Sequence, residues 1–532
     1  MVPILLLTVV GNRKLCLHEK KQRDKMKKLL VIGLDCAAPQ LVFDEWRSDL
    51  PNLDRLMKEG IFGELKSTIP PITVPAWTSM LSSKDPGQLG FYGFRNRKSY
   101  NYEELYFANA SYIRETMVWS YLEEGGCTSI LIGIPQTYPP KPLRGIMVGC
   151  FLTPDKSADY TYPQMVKEEL DRIADGDYMI DVGNFRTDDK EWLLDQVYLM
   201  TKRRFKVVRH YLKSEPWDFF MFVEMGIDRI HHGFWRYQDK AHRLYRSGGP
   251  YEDAIRKYYK YVDKEIGSLL EILPLDVSVM VVSDHGAKKM DGAICINDWL
   301  MDKGYLHLKT KVKKPTKLTM DMVDWETTQV WGEGGYYSRI FLNVQGREPK
   351  GIISRVEYQA FRDRIKEELE SLGDEKGNTI GTRVFKPEDI YKSVNSIAPD
   401  LIVYFGDLSW RSAGTVGNKN IHIFENDTGP DDANHAEDGI FIFKTDPVRL
   451  GEADIDLNRK TEGLSIFDVA PTVLDHYGLS IPSDMIGRSI LTGRADGTAD
   501  RGFSAGPSVQ GEDYSEEDEE KIRKRLEDLG YL

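Results

Sequence analysis

Uninterrupted apolar runs that end in an aspartate are the most constraining feature of this 532-residue chain. Three of them read LLVIGLD at residues 29–35, DFFMFVEMGID at 218–228 and VSVMVVSD at 277–284. Runs of this length, rich in β-branched and aromatic residues, are typical of strands buried on both faces. Segments with helical periodicity alternate with them, as at residues 190–213 and 251–273. The pattern predicts an α/β fold with a mostly parallel central sheet and helices on both faces.

The charge balance limits the partners of this chain. With 71 Lys and Arg against 83 Asp and Glu, the net charge is −12, which argues against binding to a nucleic acid polymer. No run approaches the roughly 20 apolar residues of a membrane span, so no membrane partner is predicted. The oligomeric state stays open.

The cysteines indicate the compartment. Their number is odd, their spacing is wide and no CxxC motif occurs, which argues against a disulfide framework or a thiolate zinc site. A reducing, cytoplasmic location is therefore predicted. The five are Cys16, Cys36, Cys127, Cys150 and Cys295.

The N-terminal residues differ from the rest. The run MVPILLLTVV has no basic residue before it and no small-residue cleavage site after it, unlike a signal peptide. Met26 begins MKKLLVIGLD, which suits the opening strand of an α/β enzyme. We expect residues 1–25 to be a mis-called start or a disordered extension, followed by one large domain over 26–492.

Two further segments depart from the strand-helix alternation. Residues 301–395 are read as an insertion or cap over the crevice of the sheet. The Gly-, Asp- and Ser-rich stretch 493–514 predicts a linker, and 515–532 predicts a helix capped by Ser515. Its apolar stripe is expected to dock on the same chain; the stripe consists of Ile522, Leu526 and Leu529.

Acidic and histidine residues cluster where the apolar runs end. Open α/β sheets bind ligands at the carboxyl ends of their strands, where Asp35, Asp228 and Asp284 are expected. His232 lies four residues after Asp228, on the same side of a helix, and His285 follows Asp284 directly. Downstream, NHAEDGIFIF contributes His435. Asp and His form the mixed oxygen and nitrogen set that zinc or a similar cation prefers.

These six side chains could hold two divalent cations, three ligands each. Each has a plain structural alternative, because a strand-end Asp often caps the next helix and a turn can place His231 as well as His232. Together they favour two-metal binding. Two cations about 4 Å apart can clamp the attacking and leaving oxygens of a phosphate ester.

One hydroxyl is placed to act between such metals. In ITVPAW, Thr73 is expected to cap a helix whose first turn contains Pro75. Coordination lowers the pKa of a hydroxyl and makes it a nucleophile, while the helix N-terminus supplies N–H donors for the anion. Thr78 and Ser79 are rival hydroxyls, but both fall inside the helix.

The motifs resemble the alkaline phosphatase superfamily, in its type I phosphodiesterase/nucleotide pyrophosphatase branch. The chain is especially similar to the prokaryotic phosphohydrolase/phosphomutase group, from about Met26 to about Leu491. The resemblance rests on ordered motifs: VIGLD, PPITVPAWTSMLSSKDPGQLGFYGF, IDRIHHGFW, VVSDHG and FDVAPTVLDHYG.

The resemblance implies an alkaline phosphatase-like fold and a ligand set. One metal would be held by Asp228, His232 and His435, with His422 as the alternative to His435. The second metal would be held by Asp35, Thr73, Asp284 and His285. Both ions are expected to be zinc, and manganese also suits these ligands.

The family also implies a phosphate contact some twenty residues after the nucleophile. Phosphodiesterase members carry Asn there, and this chain has Phe94. Asn96, Arg95 and Arg97 are the candidate substrate-binding residues in its place, since arginine can hold a phosphate with two hydrogen bonds. Sulfatase activity is disfavoured, because the sequence Thr73-Val-Pro-Ala-Trp lacks the required Arg.

The sequence thus predicts a two-metal phosphohydrolase, similar to phosphodiesterases and nucleotide pyrophosphatases, that acts on a small phosphorylated substrate through a phosphothreonine at Thr73. A phosphomutase could use the same intermediate. A non-catalytic metal-binding protein on the same fold is the alternative from another class.

Overall fold

The computed structural model describes residues 27–445, 457–458, 460–493 and 513–531. Residues 1–26 and 494–512 lie outside these ranges, so the N-terminal extension and the linker stay predictions. Among the described residues, no helix combines the length and apolarity needed to cross a bilayer.

The strands of the described residues are short. In chain order they are β1 Leu29–Leu34, β2 Ile61–Lys66, β3 Arg95–Arg97, β4 Leu105–Phe107, β5 Ser129–Ile132, β6 Gly145–Val148, β7 Thr161–Tyr162, β8 Phe219–Glu224, β9 Ser278–Val282, β10 Gly286–Lys289, β11 Gly292–Ile294, β12 Thr316–Lys317, β13 Val330–Glu333, β14 Ser338–Leu342, β15 Arg383–Phe385, β16 Leu401–Tyr404, β17 Trp410–Ser412, β18 Thr415–Val416, β19 His422–Ile423, β20 Ala433–Ala436, β21 Asp438–Lys444 and β22 Leu464–Ser465.

The α-helices of the same residues vary more in length. They are α1 Pro51–Lys58, α2 Thr73–Ser82, α3 Pro86–Leu89, α4 Val118–Glu124, α5 Val166–Ile173, α6 Lys190–Ser214, α7 Gly226–Gln238, α8 Ala254–Leu270, α9 Ile296–Asp302, α10 Tyr358–Glu370, α11 Pro387–Ile390, α12 Val469–Tyr477 and α13 Glu516–Asp528.

A nine-stranded sheet forms the centre, in the order β22-β2-β21-β9-β1-β8-β5-β6-β7. From β9 to β6 all neighbouring strands are parallel, while β21 and β7 add antiparallel pairs on either side. Every residue of β1 is buried, as its uninterrupted apolar sequence requires. The predicted α/β fold with a mostly parallel sheet is confirmed.

Two groups of helices cover the sheet. Helices α1, α6, α7 and α8 pack on one another, and α2, α4 and α12 form the other group. The Pro-punctuated sequence ELKSTIPPI at residues 64–72 predicts a loop, and this prediction is wrong at its start, because β2 continues to Lys66. In β2 the exposed residues Glu64 and Lys66 alternate with buried ones. The strand is held in the sheet by its pairing with the apolar strand β21.

A second, smaller core belongs to the region predicted as a cap. An antiparallel sheet, in the order β13-β14-β16-β15, packs with α10. This core runs from Ile294 to Val416, so it begins before and ends after the predicted range 301–395. The turn between β13 and β14 carries Tyr336, which packs in the main core instead.

The C-terminal helix α13 docks on the main core of the same chain. The Ser515 side chain accepts a hydrogen bond from the Asp518 N–H and caps the helix. Ile522, Leu526 and Leu529 are all buried. Gly530 then turns the chain with a φ of 82°, which L-residues rarely adopt.

Candidate metal centre

Seven predicted side chains meet at the carboxyl edge of the central sheet, and none is more than 2% exposed. They are Asp35, Thr73, Asp228, His232, Asp284, His285 and His435. Asp35 follows β1, and Asp284 follows β9, its parallel neighbour. Asp228 and His232 lie on α7, directly after β8, the other neighbour of β1. Adjacent parallel strands therefore bring these groups together.

His435 arrives from a different part of the chain. It lies on β20, which pairs with β10 so that His435 stands opposite Ala287. Since β10 begins directly after His285, the two imidazoles stack with centroids 3.8 Å apart. The alternative, His422, lies within 2.8 Å of the Gly373 carbonyl oxygen through Nε2, whereas the His435 Nε2 is 3.8 Å from the Asp228 carboxylate.

The three histidines share one orientation. His285 and His435 have Nδ1 3.2 Å and 2.8 Å from the carbonyl oxygens of Gly286 and Pro71. The Nδ1 of His232 lies 2.8 Å from Oδ1 of Asp431. An imidazole that donates from Nδ1 presents a lone pair on Nε2, as metal-binding histidines do.

Several polar atoms at the centre are buried without a hydrogen-bond partner. They are Oδ1 of Asp35, Oδ1 of Asp228, Oδ2 of Asp284, and Nε2 of His232 and His435. Buried carboxylates without partners are costly unless they coordinate a cation. The convergence of oxygen and nitrogen lone pairs therefore fits divalent metal ions.

The ligand atoms fall into two neighbouring groups. Asp228 Oδ1 is 3.2 Å from the His232 Nε2, and Asp284 Oδ2 is 3.1 Å from the His285 Nε2. Asp35 completes the second group, whose ligand atoms lie within 4.8 Å of one another. The Thr73 hydroxyl is 3.5 Å from the His285 Nε2.

The cysteine Cys36 also lies beside Asp228 and His232, within the same 4.8 Å limit. Its Sγ is 3.4 Å from the carbonyl oxygen of Gly286. Burial, together with the nearby Asp228, raises the pKa of this thiol well above its usual range. The unpartnered Nε2 of His435 lies 3.8 Å from the same Asp228 carboxylate, so both Cys36 and His435 are within reach of this group, and His435 is the ligand that the family resemblance implies.

The carboxylates repel one another electrostatically. Burial and Asp228 raise the pKa of Asp35 well above its usual range, and burial and Asp35 do the same to Asp284. Burial alone would lower the pKa of His232, but Asp431 and Asp228 outweigh it and raise the value to about 9. A cation would therefore displace the Nε2 proton when it binds this imidazole. Burial lowers the pKa of His285 to about 4, which keeps it neutral.

Neighbouring side chains hold the ligands in place. Trp77 Nε1 donates to the Asp35 Oδ2 over 2.7 Å, and Arg229 pairs with the other oxygen of Asp228. Asp431 accepts a hydrogen bond from the Tyr336 hydroxyl and forms an ion pair with Arg186 at 2.6 Å. Sequence reasoning missed Asp431 and Tyr336; only the position of Asp431, four residues before His435, could have indicated it.

Thr73 is placed differently from the expectation. It is the first residue of α2, and Ile72, in an extended conformation, occupies the cap position. No side chain caps this helix end, so its first-turn N–H groups are available to an anion. Of the rivals, Thr78 donates to the carbonyl of Val74. Ser79 lies within the helix, where its Oγ is buried and has no hydrogen-bond partner among the described residues.

The remaining candidates have partners away from the metal ligands. Asn96 bonds the N–H of Tyr92 and the carbonyl of Gly93, and Arg97 pairs with Glu348 at 3.2 Å. Arg95 lies 3.5 Å from Glu333. His231 has Nε2 3.2 Å from the Tyr259 hydroxyl.

A family model described as type I phosphodiesterase/nucleotide pyrophosphatase matches residues 29–431. The chain belongs to this family. No curated protein matches the sequence significantly. Solved structures also share the fold of this chain, including two that match it over most of its length.

One is human ectonucleotide pyrophosphatase/phosphodiesterase 5, with 14% identity, a TM-score of 0.51 and coverage of 88% of this chain and 99% of that one. The other is phosphonoacetate hydrolase from Sinorhizobium meliloti 1021 in complex with phosphonoformate. It has 14% identity, a TM-score of 0.56 and coverage of 85% and 96%. At this identity the structures support the alkaline phosphatase-like fold, while the family model identifies a hydrolytic enzyme of the phosphodiesterase type.

Proposed function

We propose that this protein hydrolyses a small phosphate ester through a phosphothreonine intermediate at Thr73, with two divalent cations, expected to be zinc. The observation that carries the proposal is the group of five unpartnered lone-pair atoms buried beside the Thr73 hydroxyl. One ion would be held by Asp228, His232 and His435, and the other by Asp35, Asp284, His285 and Thr73.

The chain's own groups supply the rest of the chemistry. Divalent cations in this site would acidify the Thr73 hydroxyl and neutralise charge on the phosphate oxygens. The Thr73 oxygen attacks phosphorus and its proton passes to solvent, while the bond to the leaving group breaks and the departing alkoxide takes up a proton from solvent. Water then cleaves the bond between phosphorus and the Thr73 oxygen, which restores the hydroxyl. This step releases phosphate when the substrate is a monoester, and the remaining monoester when it is a diester. The uncapped N–H groups of α2 stabilise the anion throughout.

Two finer predictions accompany the proposal. Substrate binding by Arg95, Asn96 or Arg97 stays a prediction, although the observed bonds of Asn96 and Arg97 favour a structural role. A cytoplasmic location is supported by Cys36, Cys127, Cys150 and Cys295, which are all free thiols.

Ester turnover tests the nucleophile. Wild-type protein, Thr73→Ala and Thr78→Ala are assayed on p-nitrophenyl phosphate and bis-p-nitrophenyl phosphate with zinc, manganese or EDTA. We expect metal-dependent turnover that Thr73→Ala lowers by at least about 10³-fold, as for loss of a covalent nucleophile. Thr78→Ala is the matched control, because its hydroxyl bonds only within α2.

The other outcomes separate the alternatives. Equal turnover by wild type and Thr73→Ala would refute the phosphothreonine. Label transfer from a phosphorylated substrate to a second hydroxyl of the product, instead of to water, would identify a mutase. Two bound metals without turnover of any ester would favour the non-catalytic binder.

A further inference from the structure

A narrow cavity opens beside the proposed nucleophile. Its lining includes Ile72, which directly precedes Thr73, and Phe94, Tyr336, Tyr337 and Tyr531. Tyr531 follows the C-terminal helix α13, more than 400 residues after Thr73 in the sequence. The end of that helix therefore forms one wall of a cavity of about 10 Å³ that borders Ile72, the residue before Thr73. This is about the room that a single water-sized atom needs.

The neighbouring polar side chains on this wall already have partners. The Tyr336 hydroxyl donates to Asp431 over 3.0 Å, and the Tyr337 hydroxyl donates to the carbonyl of Tyr92. Arg339, also on the wall, pairs with Glu333. The hydroxyl of Tyr531 is different, because it is buried and has no hydrogen-bond partner among the described residues.

The ring of Tyr531 is held firmly in this position. Its centroid lies 4.0 Å from that of Phe94, 5.5 Å from that of Tyr336 and 6.3 Å from that of His435. The residue is only 7% exposed, and its N–H donates to the carbonyl of Leu526 over 2.9 Å. The Tyr531 hydroxyl is therefore a fixed donor without an acceptor, close to the proposed metal ligand His435. It is available to an acceptor atom that enters the cavity.

We propose that the Tyr531 hydroxyl donates a hydrogen bond to a phosphate oxygen of the substrate, so that the end of α13 belongs to the substrate-binding site. This inference rests on the proposed function. Burial raises the pKa of this phenol well above its usual range, so it stays a donor at neutral pH.

The test is the affinity of the zinc-loaded, full-length protein for inorganic phosphate, measured by calorimetry. Tyr531→Phe removes only the hydroxyl and keeps the ring on Phe94. The matched control is Tyr514→Phe in the same C-terminal segment, since the Tyr514 hydroxyl donates to the carbonyl of Leu152. We expect phosphate to bind Tyr531→Phe about 10-fold more weakly, as for loss of a hydrogen bond to an anion.

Zinc content and thermal midpoint of Tyr531→Phe should equal those of the wild type, and Tyr514→Phe should bind phosphate normally. Equal phosphate affinity of wild type and Tyr531→Phe would overturn the inference, as would equal weakening in both variants. A wild type that binds no phosphate would also overturn it. Ester turnover reports separately on the proposed function, so a protein that binds phosphate through Tyr531 without turnover would refute only that function.

Discussion

At the scale of single residues, the centre depends on groups that orient the ligands as much as on the ligands. Asp431 fixes the ring of His232 through Nδ1, and Arg186, opposite His232, holds Asp431 through an ion pair. The side chain of Asp431 is itself fully buried. Mutation of a residue that orients a metal ligand commonly lowers the affinity of the site for its metal.

We therefore expect Asp431→Asn to lower zinc affinity by about 10- to 100-fold, since the amide keeps the size of the side chain and loses the charge that favours the His232 Nδ1–H tautomer. Competition with a chromogenic chelator measures this affinity. Asp432→Asn is the matched control: its carboxylate is equally buried but pairs with Arg236. Similar zinc affinities for the two variants would show that Asp431 does not orient a ligand.

At the scale of elements, the end of α13 is tied to the same network. Arg186 donates to the carbonyl of Leu529 over 3.0 Å, and the Tyr336 hydroxyl, which donates to Asp431, lies 3.1 Å from the same carbonyl oxygen. A Cβ on Gly530 would lie 1.6 Å from Nη2 of Arg186. The helix end thus contacts two of the groups that surround Asp431.

Gly530→Ala should consequently displace Arg186 and lower ester turnover. Gly478→Ala is the matched control, because Gly478 ends α12 with a φ of 73° and has open space around its Cβ position. Both alanines should cost about 1 kcal/mol for the left-handed backbone, seen as lower thermal midpoints. Only Gly530→Ala should lose activity; equal activity in the two variants would separate α13 from the site.

The sequence predicts elements well where the signal is local. The buried runs before Asp35 and Asp284 gave strands that end where expected, because an uninterrupted apolar run requires burial on both faces. The strand β2 was missed, since Glu64 and Lys66 give it a polar outer edge and its pairing with β21 is remote in sequence.

The candidate site follows the same division. The Asp-His spacings indicated which residues could meet, as in Asp228 and His232. The roles of Asp431, Tyr336 and Tyr531 depend on contacts between segments that only the folded chain brings together. Their sequence neighbourhoods carry no periodicity or motif that distinguishes a ligand-orienting residue from an ordinary buried one.

At the scale of the whole molecule, the buried carboxylates predict that metal ions stabilise the fold. Removing metal leaves Asp35, Asp228 and Asp284 close together in a buried site, with raised pKa values for Asp35 and Asp284. At free zinc 100-fold above Kd, binding adds about 2.7 kcal/mol to the unfolding free energy.

Thermal unfolding at increasing free zinc measures this stabilisation after treatment with EDTA. The midpoint should rise with zinc concentration, and Thr73→Ala should retain most of the rise because six protein ligands remain. Magnesium, which prefers six oxygen ligands, should give a smaller shift at the same concentration. A midpoint independent of zinc would contradict the assignment of these residues as ligands.

The ligands are spread along the chain from Asp35 to His435, and β1 must pair with both β8 and β9 before three of them can meet. Any contiguous fragment that contains the complete set must include residues 35–435. During synthesis, an ion could therefore be captured only after the central strands have assembled in the correct register. Only chains whose central strands have assembled correctly would then bind the cations with the full set of ligands. Misassembled chains would lack the complete site and would not be stabilised by the metal.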